Sequence, residues 1–164
     1  MLQIGATATL VTDYVVYFSE DPAIDKESEG FSKIWDEYVR TGDIKKVPIK
    51  AGQEPTRWKL RHLRGKSKRM LQDLIRKTAV DDMISPTAVF LACQVALIDV
   101  DNLFDDKGKE IGLMKNFDKD LRLQVISDEC MNTLEEIRDD EGNMGALVNE
   151  LGLRAIMGLS PDPL

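Results

Sequence analysis

The feature that most constrains the fold is a serine–proline pair followed by a nearly uninterrupted apolar run. Ser85 and Pro86 have the chemistry of a helix start, because serine caps the first free N–H groups and proline fits the first helical position. Residues 87–98 are almost all apolar, which is typical of a helix buried on every side. The sequence therefore predicts a central buried helix around which the other elements pack.

The length and composition are those of one globular domain. The chain has 164 residues, of which 43% are hydrophobic and 31% are charged, and its formal net charge is −7. A chain of this size can bury a core without disulfides or metals. We expect a single domain over residues 1–164, of the α+β class and mainly α. A small antiparallel sheet is expected near the N-terminus, within a β-containing part (residues 1–65), and a layer of about four helices is expected mostly in a helical part (residues 66–164).

Apolar periodicity and turn residues divide the chain into elements. A polar loop or hairpin is expected over residues 99–113, where Gly108 suits a tight turn, and Gly42 is expected just after the first helix. Asn116 or Asp118 is expected to cap the helix that follows the loop. The predicted strands cover residues 8–18, 47–50 and 56–63, and the predicted helices cover residues 30–40, 66–83, 87–98, 116–138 and 143–157.

Charge is distributed unevenly along the chain. Residues 57–77 contain nine of the 22 basic residues and one acid, Asp73, whereas the rest of the chain is strongly acidic. Alternation predicts that Trp58, Leu60 and His62 lie on the buried face of a strand, with the basic side chains on the other face. Three interpretations of this basic segment remain open: a solvated face, a protein contact, or a nucleic-acid contact. The acidic remainder disfavours the last, because it would repel a polyanion.

Aromatic and basic side chains are the candidate partner-binding residues. The helix at residues 30–40 carries aromatic residues at helical spacing, and the basic strand carries a tryptophan. Buried aromatic anchors supply affinity at protein interfaces, and complementary charge supplies orientation. The candidates are Trp35, Tyr38, Arg57, Trp58, Lys59, Arg61, Arg64, Lys68 and Arg69.

No catalytic, cofactor-binding or metal-binding residue is assigned from the sequence. The single histidine, His62, has no flanking catalytic or ligand motif, and no Gly-rich phosphate loop is present. Residues 139–150 resemble a calcium loop in their acids, but Met144 stands where that motif needs glycine. Cys93 and Cys130 are interpreted as reduced structural thiols, although the sequence leaves a disulfide between them open.

Three segments together resemble small proteins encoded among the virion genes of tailed bacteriophages. The first runs from an extended segment at Tyr17 through an acidic-Pro turn to the Trp/Tyr helix ending at Tyr38. The second, residues 50–61, is a Gly-x-x-Pro-Thr turn leading into the basic strand. The third joins residues 100–103 to the Asp-Lys-Gly-Lys turn at residues 106–109.

The resemblance implies a tail-assembly factor or a minor head or tail component, which is not an enzyme. Such a protein contacts other virion or assembly proteins, or copies of itself, in the host cytoplasm or in the virion. It transfers no functional residue to this chain. No membrane contact is expected, because no apolar stretch approaches about 20 residues. The alternative hypothesis is a small regulatory protein that binds nucleic acid through the basic segment, residues 57–77.

Overall fold

The computed structural model describes residues 13–159, which contain five α-helices and five β-strands. The predicted α+β class, mainly α with small antiparallel sheets, is confirmed. Residues 8–12 of the strand predicted over residues 8–18 lie outside the described residues. In chain order the elements are β1 (Tyr14–Val16), α1 (Phe31–Thr41), a 3-10 turn (Ile44–Lys46), β2 (Arg57–Leu60), α2 (Gly65–Thr78), α3 (Pro86–Ala96), β3 (Leu97–Asp101), β4 (Lys115–Asp118), β5 (Leu123–Ile126), α4 (Asp128–Glu135) and α5 (Ala146–Met157).

The sequence features that predicted the helix starts and ends are borne out at two positions. The Ser85 hydroxyl accepts a hydrogen bond from the Ala88 N–H at 3.1 Å, and Pro86 is the first residue of α3. Gly42 has a φ of 74° and donates its N–H to the Tyr38 carbonyl, which closes the end of α1. These local signals are strong because they satisfy backbone groups that a helix end leaves free.

The basic strand lies in the middle of a three-stranded antiparallel sheet of order β1-β2-β3. Trp58 and Leu60 are buried, as the alternation predicts, but His62 is exposed. The strand ends at Leu60 beside a register shift, and Leu63 takes the next buried position. The expectation of a buried His62 is therefore wrong, and its ring instead lies 4.6 Å from that of Tyr14.

The third strand of this sheet comes from the part of the chain that was expected to be helical. β3 follows α3 directly, so residues 99–101 belong to a strand rather than to the predicted loop. The division into a β-containing part (1–65) and a helical part (66–164) is therefore wrong. Gly108, with a φ of 78°, does form a turn, and its N–H donates to the Asp105 carbonyl.

A β-hairpin replaces the first half of the helix predicted over residues 116–138. β4 and β5 pair antiparallel, from Lys115 opposite Ile126 to Asp118 opposite Leu123. The Asp118 carboxylate accepts hydrogen bonds from the turn, and Arg122 has a φ of 56°, which a helix does not allow. Asp118 therefore stabilises a turn instead of capping a helix, and Ser127 caps the shorter helix α4.

The main core lies where α3 packs against α5, with the three-stranded sheet and α4 around them. Buried residues of α3 alternate between small and medium side chains, which allows the two helix backbones to approach closely. Gly152 on α5 marks the closest approach, because a Cβ added there would lie 2.2 Å from the Val89 carbonyl oxygen. A second, smaller core holds Tyr17, Ile24, Tyr38 and Val47.

Replacing Tyr38 by phenylalanine is expected to destabilise the protein by about 1–2 kcal/mol. The buried Tyr38 hydroxyl accepts a hydrogen bond from the Tyr17 backbone N–H at 2.8 Å, and the variant leaves that buried donor unpaired. Urea denaturation of the two proteins measures the difference. Tyr17→Phe is the matched control, since the Tyr17 hydroxyl has no hydrogen-bond partner between residues 13 and 159. Equal losses in both variants would contradict this role for the Tyr38 hydroxyl.

Candidate protein-binding surface

The structure divides the predicted basic surface into a strand part and a helix part. On β2, Arg57 lies 4.0 Å from Asp101 and Lys59 lies 4.0 Å from Asp13, so these charges face acids of the neighbouring chain segments. On α2, Lys66 and Arg69 are exposed on the solvent side of the helix, while Lys68 is half-buried. The candidate Arg64 is exposed at the residue that precedes α2. Exposed cations therefore lie at the start of α2, and Arg76 and Lys77 are exposed at its other end.

Arg61 has a structural role that its place in the basic segment did not indicate. Its guanidinium donates a hydrogen bond to the Gln124 carbonyl on β5, and its Nε is buried without a partner in the described part of the chain. Burial lowers the pKa of this guanidinium. Because Arg61 is half-buried and bound to β5, it is a poor candidate for direct contact with a partner.

The aromatic candidates are less exposed than a set of contact residues would be. Tyr38 is fully buried and Trp58 is 2% exposed, so neither side chain can contact a partner in this conformation. Trp35 is half-buried and its ring lies 4.8 Å from that of Tyr38. Tyr38, a partner-binding candidate in the sequence, is instead buried against Tyr17 and Val47.

The outward-facing backbone groups of the β4–β5 hairpin have hydrogen-bond partners along one edge and not along the other. The Ser127 N–H donates to the Met114 carbonyl, which makes residues 114 and 127 a bonded pair of the hairpin. By alternation, Gln124 and Ile126 point their backbone groups away from β4. Their carbonyls accept hydrogen bonds from Arg61 and from the Gln94 side-chain amide, respectively. The outer edge of β5 is therefore covered by side chains.

The opposite edge, on β4, is uncovered among the described residues. The same alternation points the backbone N–H and C=O groups of Lys115 and Phe117 away from β5. No hydrogen-bond partner for these groups occurs within residues 13–159, and the two-stranded sheet ends at β4. Lys115, Asn116 and Phe117 are all exposed. An open, exposed strand edge is a template for pairing with another chain.

Large apolar side chains are exposed on β4 and on the loop that leads to it. Phe117 is 58% exposed and Met114 is 52% exposed, and both belong to the hairpin or adjoin it. A groove of about 290 Å³ lies beside Phe117. Apolar residues of α2, α3 and β5 line it together with polar residues that include Asn116, Asp118 and Asp128. We call β4 with its adjoining residue Met114 the β4 surface; its exposed apolar residues are Met114 and Phe117.

An open acidic cleft of about 660 Å³ lies between the α3–α5 pair and the segment after β1. Glu150 is the most enclosed carboxylate there. It accepts a hydrogen bond from the Ser19 N–H at 2.7 Å and another from the Ser19 hydroxyl. Burial raises the pKa of Glu150, and the two hydrogen bonds lower it by less. The acids that line the cleft are Glu20, Glu135, Asp139 and Glu150.

Replacing Glu150 by glutamine is expected to leave the protein at least as stable as the wild type at pH 7.5. The raised pKa means that folding favours the protonated carboxyl. That contribution to stability is complete below the ordinary carboxyl pKa and is lost as the pH rises through the folded-state pKa. Glutamine has no charge to bury, and it can accept from the Ser19 N–H while donating to the Ser19 hydroxyl.

The measurement for Glu150→Gln is urea denaturation of both proteins between pH 4 and pH 7.5. The stability of the variant relative to the wild type should rise with pH over this range. Glu135→Gln, at a half-buried carboxylate in the same cleft, is the control for a general change in charge. A variant that loses stability relative to the wild type as the pH rises would show that Glu150 is stabilised as a charged group.

Both cysteines are free and buried, and burial raises the pKa of Cys93 to about 12. In the would-be calcium loop, the Asp139 carboxylate accepts backbone hydrogen bonds from Glu141 and Asn143. No group of three or more His, Cys, Asp or Glu residues suited to a metal occurs in residues 13–159. Within the same residues, no helix has the length and apolar character needed to cross a bilayer.

Comparison with protein-family models, with curated proteins and with solved structures found no match to this chain. Sequence patterns alone do not reveal the β4 surface, because residues 116–138 also fit one helix. The signal that could have revealed it is the Asp118-Lys119-Asp120 turn sequence, in which the aspartates favour a turn over a helix interior.

Proposed function

We propose that this protein is a structural or assembly protein of a tailed bacteriophage, either a minor head or tail component or a tail-assembly factor. It would act by protein–protein contact, in the host cytoplasm during assembly or in the virion. The observation that carries the proposal is the β4 surface, where an open strand edge and exposed apolar side chains occur together. The resemblance of three sequence segments to tailed-phage virion proteins supports the choice of system.

The β4 surface has the two properties that a protein contact requires. Unpaired backbone groups at a strand edge offer directed hydrogen bonds to an extended partner, and alternate side-chain positions give specificity. Exposed apolar residues at the edge add the affinity, since their burial removes apolar area from water. Natural proteins commonly protect open edges with charges or a covering segment. β4 carries Lys115 and Asp118, and Phe117 remains 58% exposed between them.

The cations at the start of α2 would act at longer range. Lys66 and Arg69 are exposed on a chain whose net charge is negative, so positive and negative charge are unevenly distributed over the molecule. Such a distribution orients partners during encounter and speeds association more than it strengthens the final complex. We therefore assign orientation to α2 and affinity to the β4 surface.

The alternative function, binding of nucleic acid by residues 57–77, has less support. Arg57 and Lys59 face acids, and Arg61 is bound to β5, so three of the segment's cations are engaged within the chain. A gel-shift series with duplex DNA and with RNA tests this alternative. Retardation at 50 mM salt that is lost steeply at higher salt would favour it over protein contact.

Deletion of the gene from its phage, followed by electron microscopy of the lysates, tests the proposed function. We expect incomplete particles, such as heads without tails, and a loss of infectious particles that the wild-type gene restores in trans. Complementation by Phe117→Ser should be weaker than by Lys119→Ser, a matched change in the adjoining turn. Normal yields of infectious particles after deletion would overturn the proposal.

A further inference from the structure

The open edge of β4 has a sequence that can pair with itself in one register. In an antiparallel pair about a two-fold axis, only residues whose backbone groups face outward can form bonded pairs. On β4 these residues are Lys115 and Phe117, as the hydrogen bond between Ser127 and Met114 establishes. Two β4 strands can therefore meet only in registers that place a residue opposite its own copy.

Four registers centre on a residue of the strand, and they differ in which charged residues face each other. Centring on Lys115 places two lysines opposite each other, and centring on Asp118 places two aspartates opposite each other. Centring on Phe117 places Lys115 opposite Lys119 of the other copy. Like charges directly opposite destabilise a strand pair. Only the register centred on Asn116 avoids them.

We propose that the β4 surface binds a second copy of this chain, by antiparallel β4–β4 pairing centred on Asn116. Lys115 of one copy lies opposite Phe117 of the other, which forms two bonded pairs and about four backbone hydrogen bonds. Met114 lies opposite Asp118, and the two Asn116 side chains meet at the axis. The inference rests on the proposed function, in which the same surface makes protein contacts.

The pairing specifies which side chains come together across the two-fold axis. Asn116 and its copy form a non-bonded pair, with Cα atoms about 4.5 Å apart. That separation lies within the range that a disulfide spans. A cysteine at position 115 or 117 instead faces a different residue of the other copy. The native cysteines, Cys93 and Cys130, are buried and do not compete.

Cysteine substitution in the full chain tests the pairing. We expect Asn116→Cys to form a disulfide-linked dimer under mild oxidation, at a yield at least tenfold above Lys115→Cys and Phe117→Cys. Non-reducing gels and sedimentation velocity measure the yield. Equal cross-linking at all three positions, or none at position 116, would overturn the inference.

A proline variant keeps the test informative if the contact is weak. Adding Phe117→Pro to Asn116→Cys removes an outward N–H that the hairpin does not use, so the β4–β5 ladder is retained while pairing between copies is lost. Adding Phe117→Ala removes the side chain and keeps the N–H. We expect the proline to abolish cross-linking and the alanine to leave part of it. Circular dichroism checks that both variants are folded. Cross-linking that survives the proline would overturn the inference. A monomer that still associates with phage particles would overturn this inference alone and leave the proposed function standing.

Discussion

Replacing Gly152 by alanine is expected to destabilise the protein by about 3 kcal/mol, at the upper end of the usual cost of overpacking a core. The added Cβ would lie 2.2 Å from the Val89 carbonyl oxygen and 2.6 Å from Val89 Cγ1. The carbonyl belongs to the backbone of α3 and cannot rotate away as a side chain would. The two central helices must therefore move apart, which loosens the packing of the main core. Thermal unfolding should show a fall in Tm of about 6–12 °C.

Gly158→Ala is the matched control for this prediction. Gly158 follows the same helix, has a helical φ of −69°, and would place its Cβ no closer than 3.4 Å to another atom. We expect a change within about 0.5 kcal/mol for this variant. The double variant Gly152→Ala, Val89→Ala should recover little, because the contact with the backbone oxygen remains. A Gly152→Ala protein as stable as the wild type would contradict the close approach of α3 and α5.

Replacing Trp58 by alanine is expected to cost about 4 kcal/mol, within the range for a large aromatic residue in a core. Trp58 is 2% exposed and lies in the middle strand of the sheet, where it contributes to the main core. Alanine leaves a cavity that the flanking strands cannot close, since both are paired to β2. Urea denaturation measures the loss.

Trp58→Phe separates the size of the side chain from its polar atom. The indole Nε1 is buried and has no hydrogen-bond partner within residues 13–159. Phenylalanine removes this unpaired donor and fills most of the space, so the two effects oppose each other. We expect a loss below about 1.5 kcal/mol, as for other swaps that nearly conserve volume. A phenylalanine variant as unstable as the alanine variant would show that the indole N–H is paired in solution.

The sequence predicts an element well where the local signals for a helix or strand and the pattern of apolar residues indicate the same structure. Ser85 and Pro86 start a helix and the apolar run after them is buried, so α3 could be placed from the order of residues along the chain. Trp58 and Leu60 alternate with basic residues and form a half-buried strand. In both cases the residues that favour the local structure are also those that the core needs.

The hairpin is hard to predict from the sequence because its apolar residues fit two patterns. Leu121, Val125 and Ile126 occur at helical spacing. The Asp118 turn and the positive φ of Arg122 instead place Leu121 in the turn and the other two on β5. The site was missed for a related reason. Exposure of the β4 edge depends on where Arg61 and Gln94 lie in the fold, and these residues are distant in sequence from the edge that they leave open.

We propose that this protein works by contact with other proteins of a phage particle. Sucrose-gradient sedimentation of infected-cell lysates, with this protein quantified in every fraction by mass spectrometry, tests the proposal. We expect a fraction of the protein to sediment with particles or their precursors, and we expect Phe117→Ser to reduce this fraction. If all of the protein stays at the top of the gradient as free 18.5 kDa monomer throughout infection, the proposed function is wrong.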